Sequence, residues 1–125
     1  MLRLHWLFLI NVIFVTLAAL PLIFAYPAVF GLLGISSLEN GFFVQVTGAC
    51  LLMEGFASLM VWQRPLGNSD LVLSIISIKV AYILVVIAAM LSGSLPAQAF
   101  AVGAIIDALF CIGFVAFLRA DRARP

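Results

Sequence analysis

What this chain has least of is charge. Charged residues make up 9% of its 125 positions and hydrophobic residues 66%, against about 25% and about 45–50% in a soluble domain. A globule of this size has too little interior to hide so much apolar surface from water, which excludes a soluble enzyme and a disordered regulator. A single histidine, His5, cannot by itself build a bis-histidine haem site or a histidine-rich metal site, so it is read as an interfacial structural residue. The two cysteines, Cys50 and Cys111, form no Cys-x-x-Cys pair. The absence of that pair gives thiol redox chemistry no footing, and the apolar composition itself excludes a disulfide-stapled secreted domain. The net charge is +1 with no basic run, so nucleic acid is not the expected partner. There is no phosphate-cradling glycine loop and no Ser/His/Asp set at one depth. What remains is a small integral membrane protein, for which no catalytic residue, cofactor or metal is predicted.

Four apolar runs reach the roughly 20 residues needed to cross a bilayer: 5–25, 43–62, 71–92 and 98–118. They are too long for strands and too apolar for surface helices. In lipid each backbone N–H and C=O must be satisfied within the segment, so all four are read as helices. Turn-forming residues separate them, from Gln63 to Asp70 and from Ser92 to Pro96. Asp70 is placed to cap the third span. The link over 26–42 is longer, and its apolar middle, Pro27 to Ile35, predicts a short interfacial helix before a polar loop from Ser36 to Gly41. Pro21 predicts a kink near the end of the first span. A cleaved signal peptide is the competing reading of that span, but its apolar stretch exceeds the roughly 7–15 residues such a segment uses. Arg3, Arg64, Arg119, Arg122 and Arg124 all fall on one side of a four-span layout, with Glu39 opposite. Arginine excess marks the cytoplasmic face, so both termini are expected there, with Trp6 and Trp62 at the same interface. The reading is an all-α integral membrane protein, one membrane domain over 1–125, built as a four-transmembrane-helix bundle with cytoplasmic N- and C-termini.

Three ionisable residues lie deep inside the spans: Glu54, Lys79 and Asp107. Each alone costs roughly 2.5–3.5 kcal/mol at a helix centre, so such residues seldom face lipid. A rise of about 1.5 Å per residue puts Glu54 and Lys79 about 12 Å from the inner end of their shared hairpin, Asp107 about 16 Å and Asn11 about 9 Å. One polar cluster of Glu54, Lys79, Asp107 and Asn11 is therefore expected. Tyr82, one turn past Lys79, is placed to hydrogen-bond a carboxylate. Thr47, Cys50, Glu54 and Ser58 share a stripe on the second span, and Ala99, Gly103, Asp107 and Cys111 one on the fourth. Both stripes suit the bundle interior. Two carboxylates and one ammonium leave a formal charge of −1, a balance that favours taking up one proton in low dielectric.

The layout resembles the small four-helix bacterial membrane proteins of the DoxX-like group. The resemblance is carried by Pro27 and Gly34 in the long link, Gly48-Ala49 early in the second span and Arg64-Pro65 after it. Gln45 stands where some relatives carry a basic residue. The resemblance implies a bacterial inner-membrane location, and for some relatives an association with quinone or redox complexes. Three functions are expected, in order. The first is a non-enzymatic accessory or structural subunit with the Glu/Lys/Asp cluster as its clamp. The second is a small proton-coupled transporter using the buried carboxylates. The third is a quinone-associated redox subunit. The lipid bilayer, and a membrane-protein partner or a second copy of the chain, are the expected partners.

Overall fold

The structure, a computed structural model, describes residues 4–32, 34, 41–93 and 98–123. It contains α1 (Trp6–Phe24), α2 (Tyr26–Leu32), α3 (Phe42–Gln63), α4 (Ser69–Ser92) and α5 (Gln98–Arg122), with no strand among the described residues. Of these, α1, α3, α4 and α5 are long and apolar enough to cross a membrane. Large apolar side chains such as Leu17, Met53, Leu84 and Leu109 point outward. Water would not tolerate that distribution; lipid does. The short helix α2 lies in the long link. Arg3, Glu39, Arg124 and the Ser94–Pro96 part of the last turn lie outside the described residues.

The helix ends differ from the expected spans for local reasons. α4 starts at Ser69 with Asn68 at its N-cap position. Asp70 is thus not the cap; it sits in the first turn, where a negative charge suits the helix dipole. The Asn68 side chain instead donates to the Arg64 carbonyl at 2.6 Å, closing the turn back onto α3. Gly67 completes that turn at φ 82°, a conformation that favours glycine. α5 runs past Leu118 to Arg122, because Arg119 and Arg122 in its last turn complement the carbonyl end of the helix.

Packing divides the long helices into two pairs. α1 lies chiefly against α3, and α4 against α5. Glycine makes the first pairing close. A Cβ on Gly48 would come within 2.7 Å of Ile23 Cγ1 and 3.0 Å of the Ala19 carbonyl oxygen, and one on Gly55 within 2.9 Å of Val15 Cγ2. Small residues allow this approach where lipid supplies no hydrophobic drive between helices. Gln45 ties the same pair: its Nε2 donates to the Ile23 carbonyl at 3.0 Å. That carbonyl needs an outside donor, since the residue four places on is Pro27, which has no N–H. Gly48→Val is expected to lower stability by about 1–3 kcal/mol through overpacking. Gly31→Ala, with nothing within 4 Å of the new methyl, should leave the thermal midpoint in detergent unchanged.

Among the described residues, the two pairs meet tightly at one end. There Phe8 stacks on Phe114 at 4.4 Å between ring centres and meets Phe117 edge-on at 5.1 Å. Val61, Val72, Ile75, Phe110 and Leu118 complete this core, so all four long helices contribute. Trp6 and Trp62 lie 5.9 Å apart at the same end.

Candidate functional site

Just above the aromatic core sits a buried polar network, with at least one residue from each long helix. Lys79 on α4, the chain's single lysine, is buried, as are Asn11 on α1, Glu54 and Ser58 on α3, and Asp107 on α5. The Lys79 ammonium lies 2.8 Å from Glu54 Oε1 and 2.7 Å from Asp107 Oδ1. Its third side faces the Phe110 ring, 5.1 Å from the ring centre. The ammonium thus spans from the α1–α3 pair to the α4–α5 pair, and each ion gains partners that offset its loss of water. Asn11 Nδ2 donates to Glu54 Oε1 at 3.0 Å and to Ser58 Oγ at 2.9 Å. The Asn11 amide oxygen is buried without a partner. A half-turn of that amide would present an acceptor to a protonated Glu54, so this side chain can pair with either protonation state.

On the side away from the aromatic core the pairs separate. A cavity of about 330 Å³ lies between them, lined from α1 by Phe14, Val15, Ala18 and Leu22, and from α5 by Phe100 and Gly103. α3 adds Thr47, Cys50 and Leu51, and α4 adds Ile78 and Tyr82. Glu54 and Asp107 form its floor; every other lining residue of α3 and α5 lies farther from the aromatic core along its helix. The walls are almost wholly apolar. The volume falls within the roughly 300–1,000 Å³ of small-ligand sites.

The network accounts for four of the five residues singled out from the sequence, Asn11, Glu54, Lys79 and Asp107. Tyr82 belongs elsewhere. Its hydroxyl is directed to the Phe100 carbonyl oxygen, at the 3.5 Å outer limit of a hydrogen bond, and not to a carboxylate. It stands one turn beyond the level of the ions, which Lys79 already bridges, and it forms cavity wall. Gly103 makes room for it: a Cβ there would come 3.1 Å from the Tyr82 oxygen. The stripe on α3 is also split. Glu54 and Ser58 are buried, whereas Thr47 and Cys50 face the cavity and are exposed. Thr47 satisfies its own hydroxyl by donating to the Phe43 carbonyl at 2.9 Å. Two participants had no sequence signal of their own: Phe110, one phenylalanine among eleven, and the cavity, since a space between helices leaves no mark on a residue pattern. Both cysteines are free thiols. Among the described residues no group of three or more His, Cys, Asp or Glu is placed to hold a metal ion.

Fold and site together describe a chain of four apolar, membrane-length helices around a buried charge network. No protein-family model matches it, and neither does any characterised protein or solved structure.

Proposed function

We propose that the chain is a small multi-pass membrane protein that binds a small, largely apolar molecule between its two helix pairs. The buried carboxylates are the polar end of that site. One observation carries this reading: the bundle is close-packed on one side of the charge network and hollow on the other. A clamp that served packing alone would gain from dense contacts on every face, because empty space beside a side chain forfeits dispersion energy. Proton-coupled transport is the active form of the same reading, with Glu54 and Asp107 as the proton-holding groups. The grouping of the arginines supports cytoplasmic termini, and the DoxX-like resemblance supports a bacterial inner membrane.

A second reading, an accessory or structural subunit, is favoured by Lys79 joining the two helix pairs. Methyl chemical shifts of the full chain in lipid nanodiscs, titrated with p-xylene, separate the two. Binding predicts saturable shifts confined to Val15, Ala18, Leu22, Leu51 and Ile78, and their loss in Ala18→Phe, which fills the cavity without touching a charge. A clamp predicts only weak, non-saturating shifts spread over outward methyls such as Leu17, Leu84 and Ile105.

A further inference from the structure

We infer that the cavity takes a lipophilic organic monocation, an aromatic or alkyl ammonium, in exchange for one proton held by the floor carboxylates. This rests on the cavity being a binding site and names the class of molecule it receives.

Glu54 and Asp107 with Lys79 between them carry a formal net charge of −1 inside a site whose other walls are apolar. An uncompensated charge in such surroundings is costly. One proton neutralises the site, and so does one monovalent cation; both together would leave it positive. Binding of the cation and release of the proton are therefore linked. An anion is disfavoured, because two carboxylates form the floor and already hold the one ammonium.

The geometry agrees. Asp107 is the more accessible carboxylate, its side chain 11% exposed against 2% for Glu54. The walls above it carry the rings of Phe14, Tyr82 and Phe100, and aromatic faces attract organic cations. Lys79 over the Phe110 ring is the same interaction made by the protein's own ammonium.

The groups facing the floor are few. α3 brings Glu54 and Cys50, α4 brings Lys79 and Tyr82, and α5 brings Asp107, with Cys111 one turn beyond on an outer groove shared with α4. α1 brings Asn11, which does not titrate. Thiols and phenols are neutral near pH 7 in their ordinary state, and the lysine is held by two carboxylates. The exchanged proton therefore resides on Glu54 or Asp107.

The test is calorimetry on the full chain in nanodiscs of zwitterionic lipid, in two buffers of different ionisation enthalpy so that protons are counted. The probes are 4-phenylbutyltrimethylammonium, which cannot itself titrate, and its neutral carbon isostere. The expected result is cation binding with release of about one proton, and an affinity that falls about tenfold per pH unit of acidification, as linkage requires. The isostere should bind at least about tenfold more weakly, without proton release. Asp107→Asn should abolish the proton release and the preference for the cation; should that variant fail to fold, the proton count on the native chain decides. Equal binding of both probes without proton release would overturn the exchange and leave the binding reading standing. Binding of neither probe would overturn both.

Discussion

Replacing Lys79 with methionine should remove most of the folded protein. The substitution keeps the length of the stem but deletes the ammonium that lies 2.8 Å from Glu54 and 2.7 Å from Asp107. Two carboxylates would then face each other with no positive partner, and breaking a buried pair from one side costs about 3–5 kcal/mol. The origin of that cost is checkable. Lys79→Met with Glu54→Gln leaves one carboxylate and should recover part of the loss. Adding Asp107→Asn removes the last charge and should recover most of it, because neutral groups of similar shape often replace a buried ion network at little cost. Monodisperse yield and thermal midpoint in detergent read the series. A Lys79→Met chain as stable as the native one would mean that the ammonium is not needed to offset the carboxylates.

The second large effect is expected at the closed end of the bundle. Phe114→Ala removes a fully buried ring that stacks on Phe8 and lies 5.7 Å from Phe110, the ring beneath Lys79. Loss of a buried phenylalanine side chain costs about 3–5 kcal/mol when the surroundings cannot collapse into the space. Collapse is hindered here because the neighbouring rings come from α1 and α5 and are fixed by one another. Phe56→Ala is the control: that ring is 65% exposed on the outer surface, and its loss should move the thermal midpoint far less. Similar shifts for the two would contradict an aromatic core that holds the pairs together.

Much of the architecture was legible in the sequence, and the reasons are physical. Uninterrupted apolar runs of bilayer length admit few structures other than helices, so the four long helices appear with boundaries close to those expected. The depth of the charges followed from helical rise. A short hairpin brings Glu54 and Lys79 to one level, and the ammonium on its four-carbon stem reaches Asp107. The details that depend on partners were not legible. Asn68 rather than Asp70 occupies the cap position because the asparagine side chain also closes the turn onto Arg64. Tyr82 turns to the Phe100 carbonyl because the carboxylates lie one turn below and are engaged by Lys79. The division into α1–α3 and α4–α5 pairs depends on how Gly48 and Gly55 fit the relief of α1, which a pattern of small residues does not specify. Nor does composition reveal where two pairs part. Phe14, Tyr82 and Phe100 read as ordinary packing residues until their placement around a shared space is seen.

Crystallography with a heavy-atom probe would show whether the space above the charge network is a binding site. Crystals of the full chain grown with 4-bromobenzyltrimethylammonium would be measured at the bromine edge. One anomalous peak is expected between Phe14, Tyr82 and Phe100, with the ammonium end toward Asp107. A cavity closed by its own side chains, with bromine found only among the outward faces near Leu17, Leu84 and Leu109, would contradict it.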